Sequence, residues 1–416
     1  MNSNGNMVKK EKQESIVEEE EDIELDDDND DKKDSKPMKV NFDLSSKKKM
    51  LMLMGIIVGA TLLLLLILYI MSLSSNKSYS YEKIEKVLTD AAKSYFKDYP
   101  DNLPANDGDV VEIDSSNLVV AGKMKDLSEY TNSGVMCSGS VQVEKSGDDY
   151  LYAPFLNCGD SYVTTELYKK VIDDDNVVSS GDGVYLKNGE YYYRGEHVNN
   201  YVQLENNLWR IIKVTSNNNI VLISSDIIPY SNHSWDDRYN STLDYTAGIN
   251  SYKLSRIREK LDNIYSNNED KEDSKERIFS KNDKTMLVSY NLCIGKRTID
   301  SGVNDNSIEC KETLSNEKVG LLTLSDYLYA SLDSECKKAS SQACSNYNYL
   351  VSTSNDWWLV TASEKDTSMV FNVSRSGFVK EKRASSYSYI RPVIYLNNKI
   401  LYKAGDGTLE KPFTVR

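Results

Sequence analysis

The chain has 416 residues, 64 acidic and 50 basic side chains, and a formal net charge of −14. Its length leaves room for two or three domains with tails. The acidic balance argues against a nucleic-acid partner, because nucleic-acid binders present a basic face to the phosphates. Tyrosine is frequent, at 29 residues against 7 Phe and 4 Trp, which favours a β-rich surface protein since Tyr suits partly exposed sheets and recognition surfaces.

Residues 1–49 form an acidic segment with almost no aromatic side chains, and the acids cluster in runs such as Glu18–Asp22 and Asp26–Asp28. Self-repulsion and the lack of apolar surface leave such a segment unable to offset the entropy cost of ordering. We therefore predict a disordered cytoplasmic tail over 1–49. Its simplest role is a solvated spacer, and the functional alternative is a docking tail for a basic cytoplasmic partner.

Residues 50–73 form an uncharged apolar run that is long enough, as a helix, to cross a hydrocarbon core of about 30 Å. Lys47, Lys48 and Lys49 precede the run and only Lys77 follows closely, so the positive-inside rule places the N-terminus in the cytoplasm. The length of the run and the absence of a clear A-x-A cleavage site favour an uncleaved anchor over a signal peptide. The prediction is a single-pass protein of the cell membrane with an extracellular C-terminal region.

Six cysteines all follow the apolar run, and none precedes it. An even number confined to the exported side is typical of disulfides formed in an oxidising compartment. Fifteen pairings exist for six cysteines, and proximity favours Cys137–Cys158, Cys293–Cys310 and Cys336–Cys344. A zinc site is the weaker alternative, because the chain has no C-x-x-C spacing and only two histidines.

The sequence of the first exported segment, residues 74–172, predicts a small α+β module. Apolar residues at helical spacing predict a helix over 81–99, ended by Pro100 and Pro104. The predicted apolar face holds Ile84, Val87, Leu88, Ala91, Tyr95 and Tyr99. A strand at Val110–Ile113, a turn or short helix near Ser115–Gly122, and a hairpin with arms at 137–144 and 150–158 follow.

Three runs in this segment, AAKSYFKDYPDNLP, LVVAGKMKDL and CSGSVQVEKSGDDYLYAPFLNC, resemble the globular part of pilin-like proteins from low-GC Gram-positive bacteria. The resemblance covers about residues 80–172 and implies a helix on a small antiparallel sheet, closed by a disulfide between Cys137 and Cys158. It does not extend to processing or fibre assembly. Pilin precursors carry a short leader that ends in Gly and a glutamate in the apolar helix that follows it. Here the tail before the apolar segment is long, and the segment after Gly55 contains no Glu.

A linker is expected at 173–189, followed by a β-rich domain at 190–416. NLWRIIKV at 207–214 and NIVLIS at 219–224 predict a hairpin. Residues 251–280 have a helical pattern, with Leu254, Ile257, Leu261 and Ile264 on one face. Further predictions are a strand running into a turn over Lys318–Asp326 and a short helix at Tyr327–Leu332. A β meander is predicted to begin at Asp356 and to end with Tyr389–Leu396 and Gly405–Thr408.

Five phrases of this second region, NNYVQLENNLWRIIKV, KVGLLTLSDY, WWLVTAS, YIRPVIYLNN and GDGTLEKPFTV, resemble a recurrent surface domain of Bacillota. That domain is similar in outline to the C-type-lectin and formylglycine-generating-enzyme fold, and it carries no known activity. The resemblance implies a lectin-like domain at 190–416. The expected fold class is α+β: a transmembrane helix, a small pilin-like module of a helix and an antiparallel sheet, and a larger β-rich domain.

One cluster of this domain has the residue types of a sugar or Ca²⁺ site. A sugar ring stacks on an aromatic face while acids take its hydroxyls, and Ca²⁺ prefers several oxygen ligands. Of the Trp357–Trp358 pair, one ring is expected in the core and one outside. The candidate ligand-binding residues are Trp235, Asp236, Asp237, Tyr239 and Trp358, with Asp244 nearby. The simpler interpretation is a set of solvated loop acids beside a core Trp.

Catalytic motifs are sparse. A Ser-His-Asp triad needs a histidine, and His197 and His233 both lie in polar loops without a G-x-S-x-G elbow. An even cysteine count leaves no free thiol for a Cys-His pair, whereas a pair of carboxylates remains available for hydrolysis. Arg391 is either a buried ion-pair partner or an edge residue.

We therefore predict a non-enzymatic surface protein that binds a carbohydrate, a wall polymer or a protein. No cofactor is expected, with Ca²⁺ as a weak alternative. The alternative functions are an exported carboxylate-based hydrolase or modifying enzyme, and a single-pass receptor that relays binding to the acidic tail. Gly55-x-x-x-Gly59 is a weak helix-packing motif for such a receptor.

Overall fold

The computed structural model describes residues 47–74, 79–132, 134–229, 231–266, 278–303, 305, 307–351 and 355–416. The chain divides into two units, Met1–Ser75 and Asn76–Arg416. Residues 1–46 of the predicted acidic tail lie outside the described residues.

The described part of the first unit is one helix, α1 (Lys47–Ser74). Its segment Met50–Ile67 has a mean hydropathy of 2.8, and none of it is buried. By length and composition α1 is able to cross a membrane, as the sequence predicts.

The second unit is α+β. Its described helices are α2 (Tyr81–Asp98), α3 (Ser115–Val120), α4 (Leu167–Val171), α5 (Arg256–Ser266), α6 (Lys281–Thr285) and α7 (Leu324–Tyr329). Its described strands are β1 (Val110–Asp114), β2 (Ser138–Ser146), β3 (Asp149–Asn157), β4 (Gly183–Lys187), β5 (Glu190–Arg194), β6 (Tyr201–Leu204), β7 (Asn207–Val214), β8 (Ile220–Ser224), β9 (His233–Ser234), β10 (Tyr290–Cys293), β11 (Lys296–Arg297), β12 (Thr313–Glu317), β13 (Trp357–Ser363), β14 (Met369–Val373), β15 (Val379–Arg383), β16 (Tyr387–Ser388), β17 (Val393–Leu396), β18 (Tyr402–Ala404) and β19 (Phe413–Val415).

The small module, residues 79–164, has its own hydrophobic cluster. In it α2 packs on the antiparallel sheet β1-β2-β3. The predicted helix is confirmed: Ser80 caps it by accepting a hydrogen bond from the Lys83 amide, and it ends before Pro100. The buried face is turned from the predicted one, so that Glu85 and Phe96 are buried while Tyr99 is exposed.

The predicted hairpin of the small module is also confirmed. β2 and β3 pair from Ser138↔Asn157 to Ser146↔Asp149, and the Cys137–Cys158 disulfide joins their open end. Gly147 in the turn has a φ of 61°, a left-handed conformation that glycine adopts at little steric cost. The hairpin supplies most of the surface on which α2 packs.

The β-rich module, residues 165–416, holds the larger hydrophobic cluster. Its main sheet has the order β17-β8-β7-β6-β19-β18, and β5 joins β7 while β4 joins β5. A second sheet has the order β11-β13-β14-β15. The predicted hairpin of NLWRIIKV and NIVLIS forms as β7 and β8, in the middle of the main sheet.

Several predicted boundaries differ from the structure. Residues 183–187 of the predicted linker form β4. Residues 167–171, which the prediction assigned to the first module, form α4 and pack into the larger cluster. The reason for the second difference is that the Leu167 amide donates to the Ile400 carbonyl at 2.8 Å, which attaches this segment to the β-rich module.

The strand predicted over Lys318–Asp326 does not form. This segment meets β17 only through an isolated bridge between Gly320 and Val393. Thr323 then caps α7, which therefore begins three residues before the predicted helix at Tyr327.

The predicted helical region 251–280 is a helix only in part. α5 buries Ile257 and Leu261 as predicted, whereas Leu254 lies in a preceding 3-10 turn and is 67% exposed. Residues 267–277 of this prediction lie outside the described residues.

Polar contacts join the two modules. Arg416 forms an ion pair with Glu85 at 2.6 Å, Lys403 with Glu82 at 3.0 Å, and Lys281 with Asp149 at 3.5 Å. The Asn397 amide donates to the Glu144 carboxylate at 2.6 Å. In each of these contacts the acid belongs to the small module, so charge complementarity helps to set how the modules meet.

Candidate functional site

The residues predicted to bind a ligand do not form one exposed surface. Trp235, Asp236 and Trp358 are fully buried, whereas Asp237 is exposed and Tyr239 is 53% exposed. The prediction that one ring of Trp357–Trp358 faces outward is wrong, because β13 lies inside its sheet and is buried along its whole length.

Hydrogen bonds explain the burial of this cluster. The Trp235 indole donates to the Leu359 carbonyl at 3.1 Å, and the Trp358 indole donates to the His233 carbonyl at 2.9 Å. The Asp236 carboxylate accepts from the amide of Ile249 at 2.9 Å and from Arg238 Nε at 2.7 Å. These three side chains hold loops together and are not available to a soluble ligand.

The remaining acids of the cluster also have partners. Asp237 lies 3.5 Å from Arg256 Nε, and the Tyr239 hydroxyl donates to Asp244. Within the part of the chain that the structure describes, no group of three or more His, Cys, Asp or Glu side chains is placed to hold a metal ion.

A cleft of about 670 Å³ lies elsewhere in the β-rich module. It is lined by the end of β5 at Arg194, by the end of α7 at Leu328 and Tyr329, and by the loop 331–337. Four more lining residues are Gly302, Val303, Asp305 and Ile308. Its volume is within the range typical of small-molecule sites. The cleft is therefore a candidate site for a ligand.

Arg194 forms one wall of the cleft. Its Nε donates to the Tyr329 carbonyl at 2.7 Å and its Nη2 to the Ser331 carbonyl at 2.6 Å. The guanidinium also lies over the rings of Tyr329 and Tyr185, at 4.3 and 4.9 Å from their centroids. Arg194 therefore joins β5 to the end of α7 and fixes this wall.

Two aspartates line the cleft, and each sits in a turn that it stabilises. Asp305 accepts from the amide and hydroxyl of Ser307 at 2.9 and 2.6 Å, and Asp333 accepts from the Glu335 amide at 2.8 Å. These hydrogen bonds hold the pKa of Asp305 below its ordinary value. A hydrogen bond from Asn346, followed by that of the Glu335 amide, does the same for the pKa of Asp333.

The loop 331–337 is attached to residues 344–347. The Cys336–Cys344 disulfide closes this region, and the Ser331 hydroxyl donates to the Asn346 carbonyl at 2.7 Å. The Leu332 amide donates to the Tyr347 carbonyl at 3.2 Å. The tyrosine is 58% exposed and has a φ of 47°, a left-handed conformation that bulky residues rarely adopt.

A smaller cavity of about 60 Å³ reaches Lys213, which lies 3.2 Å from Glu190 and 3.6 Å from Asp326. Burial opposes the charge of this lysine, but the neighbouring acids and tyrosines raise its pKa well above the ordinary value. Lys213 is therefore held between these two acids inside the module.

Comparisons with known proteins add no relative: no family model, no curated protein and no solved structure matches the chain significantly.

Sequence reasoning did not identify the cleft. Its lining residues come from separate stretches around 194, 302–308 and 328–337, and only the fold brings them together. The one local signal was the polar stretch between Cys336 and Cys344, which a short disulfide loop presents at the surface.

Proposed function

We propose that the chain is a membrane-anchored bacterial cell-surface protein whose exported part binds a carbohydrate, a wall polymer or a protein, and that the cleft between Arg194 and loop 331–337 is the binding site. The apolar helix α1 and the three disulfides support an anchored, exported protein. The pilin-like and lectin-like resemblances of the two modules agree with a surface location and remain part of this proposal.

One observation carries the choice of binding over catalysis: both carboxyl groups of the cleft already accept hydrogen bonds, Asp305 from Ser307 and Asp333 from Glu335 and Asn346, and these bonds lower the pKa of each carboxyl. A carboxylate pair that hydrolyses glycosides needs one member with a raised pKa to donate a proton. The described carboxyl groups with a raised pKa are Glu85, Glu144, Asp262 and Glu309, and none of them lines the cleft.

The test uses the full-length chain in lipid nanodiscs with purified cell-wall fragments, oligosaccharides and surface proteins as probes. Ser334 is an exposed lining residue, so Ser334→Trp fills the cleft at little cost to the fold. We expect this variant to lose about tenfold or more in affinity, with the bound probe recovered chemically unchanged.

Ser376→Trp is the matched control, since Ser376 is also exposed and does not line the cleft. This control should bind as the unmodified chain does. Equal loss in both variants, or release of a cleaved product by the unmodified chain, would contradict the proposal. The receptor alternative is supported only by the weak Gly55-x-x-x-Gly59 spacing of α1, because residues 1–46 lie outside the described residues.

A further inference from the structure

We infer that Lys213 and Asp326 condense to form an intramolecular amide bond, with Glu190 as the group that carries the proton. This inference goes beyond the proposed binding function, and none of these three residues lines the cleft. Three observations lead to it: the contacts of the lysine, the desolvated surroundings of the three side chains, and a cavity beside the two reacting groups.

The amine of Lys213, on β7, lies between two carboxylates from different elements. Its Nζ is 3.2 Å from Glu190 Oε2 on β5 and 3.6 Å from Asp326 Oδ1 on α7. Reacting groups in a productive arrangement are about 3 to 3.5 Å apart, so a small shift brings the nitrogen to the carboxyl carbon of Asp326. The bond joins a central strand of the main sheet to α7.

Little water reaches these side chains. The exposed fraction of the side chain is 12% for Lys213, 13% for Asp326 and 24% for Glu190. Tyr192 is buried and pairs with Lys213 across the sheet, and its ring centroid lies 5.0 Å from the lysine Nζ. Because desolvation makes a buried ion pair costly, condensation of the ammonium with the carboxylate, which removes both charges, is favoured here.

The surroundings favour Asp326 over Glu190 as the acid that enters the bond. Asp326 Oδ2 accepts a hydrogen bond from the Thr323 hydroxyl at 2.9 Å, which draws electrons from the carbon that the amine attacks. Asp326 and Lys213 both line the small cavity, whereas Glu190 does not. Glu190 is the more exposed acid and accepts from the Tyr192 hydroxyl, so it is held beside the amine as a proton carrier.

The cavity of about 60 Å³ provides space for the water that the reaction releases. A water molecule needs about 10 to 15 Å³ of such space, together with polar partners. Asn291 and Thr323 line the cavity beside the two reacting residues. The product water therefore has both room and hydrogen-bonding groups next to the bond that forms.

The reaction needs no external reactant. In the starting ion pair, Glu190 takes one proton from the Lys213 ammonium, and the nitrogen lone pair then forms a bond to Asp326 Cγ. One Cγ–O bond breaks, and its electron pair leaves with the oxygen. That oxygen takes the proton held by Glu190 and a second proton from the nitrogen. The products are a neutral amide and one water molecule, and Glu190 is again a carboxylate.

Mass spectrometry of the full-length chain tests the bond directly. After purification in detergent, reduction of the disulfides and denaturation, the unmodified chain should be lighter than its sequence mass by one water molecule. A protease digest should contain a branched peptide that joins the segments around Lys213 and Asp326. An intact mass equal to the sequence mass, or a loss of water that maps to other residues, overturns the inference.

Two variants separate the bond from an ion pair with a structural role alone. Glu190→Gln keeps the size of the side chain but removes the proton carrier, so the bond should form about a hundredfold more slowly in a time course after pulsed synthesis. Lys213→Met should have its full sequence mass. Its unfolding temperature should be lower by about 10 °C, the scale expected for loss of a cross-link that closes a long loop.

The matched controls are Glu196→Gln and Lys380→Met, at exposed residues of the same module. Both should yield the branched peptide at the rate of the unmodified chain. Equal rates in Glu190→Gln and Glu196→Gln would overturn the role of Glu190. Because the mass of the unmodified chain decides whether the bond exists, a variant that fails to fold does not protect the inference.

Discussion

Arg391 illustrates how a single buried side chain organises this fold. Its Nη1 donates to the Leu350 carbonyl at 2.9 Å, and its Nε donates to the Ser224 carbonyl at 3.1 Å. The guanidinium also lies 4.8 Å from the centroid of the Trp357 ring. Both sequence interpretations, an ion-pair partner and an edge residue, miss this arrangement, in which a buried cation joins distant segments through their carbonyls.

Burial and the nearby charge of Arg210 lower the pKa of Arg391 to about 10, so this side chain is still charged at neutral pH. Replacing it by Met keeps much of its volume but leaves the buried carbonyls without donors. We expect Arg391→Met to lower the free energy of unfolding by about 3 kcal/mol, the scale of such unsatisfied groups. Chemical denaturation measures this loss.

The control for this prediction is Arg375→Met, at an exposed arginine of the turn between β14 and β15. Its effect should stay within about 0.5 kcal/mol, as for most surface substitutions. A small loss for Arg391→Met would show that water or a rearranged loop satisfies the carbonyls.

The buried carboxyl of Glu85, at the contact between the modules, makes the free energy of unfolding depend on pH. Burial raises the pKa of this carboxyl above its ordinary value of 4.5, although hydrogen bonds from Thr164 and Tyr162 and the charge of Arg416 act in the opposite direction. The folded protein therefore binds this proton more tightly than the unfolded chain. The resulting stability is fully present below pH 4.5 and is lost as the pH rises through the folded-state pKa.

Glu85→Gln removes this titration. We therefore expect the free energy of unfolding of the unmodified chain, relative to that of the variant, to be greater at pH 4.5 than at pH 7.5. Denaturant titrations at the two pH values give the comparison, and Glu129→Gln, at an exposed acid of the same module, is the control. A difference that is constant with pH would contradict the assigned shift.

Among the elements, those with a local signature were predictable from the sequence. α2 follows its helical spacing and cap, and the β2–β3 and β7–β8 hairpins follow alternating strands joined by turn residues. The three disulfides follow proximity along the chain. In each of these cases the partners are neighbours in sequence, so the local pattern contains most of the information.

Other features depend on long-range partners and were not predictable. Trp358 is buried because β11 and β14 flank its strand, and Gly320 meets β17 by a single bridge. Glu85 occupies a buried position on α2 because Arg416 reaches it from the other module. Polar residues at buried positions break the pattern on which sequence prediction relies, and their partners are not visible from the local sequence.

The Cys336–Cys344 disulfide is predicted to contribute both to stability and to the shape of the cleft. In the chain-entropy description a loop of this length contributes about 2 to 3 kcal/mol, and loop 331–337 forms part of the cleft wall. A Cys336→Ser/Cys344→Ser variant should therefore lose both stability and ligand binding.

Cys137→Ser/Cys158→Ser is the matched control, because that bridge closes the hairpin of the small module. We expect a comparable loss of stability with binding retained at temperatures where the protein is folded. Thermal unfolding and nanodisc binding assays measure the two effects separately. Equal binding in both double variants would show that the disulfide is not needed to shape the cleft.

For the whole molecule, the central prediction concerns orientation. By the positive-inside rule, the lysines before the apolar segment predict that residues 1–46 lie in the cytoplasm and that the disulfide-bonded unit lies outside. A protease added to intact cells should remove an epitope tag placed after Arg416 and spare a tag placed before Met1. Detergent-permeabilised cells are the control, in which both tags should be digested. The reverse protection pattern would overturn the proposed surface location.

The three disulfides have a consequence for how the protein is made. Each bridge joins one cysteine to the next along the chain, with sequence separations of 21, 17 and 8 residues. In the proposed topology the chain crosses the membrane from its anchored end, so its thiols would emerge in pairs, each cysteine followed by its native partner. We therefore expect oxidation during export to give the native pairs directly, with an oxidant but little disulfide reshuffling.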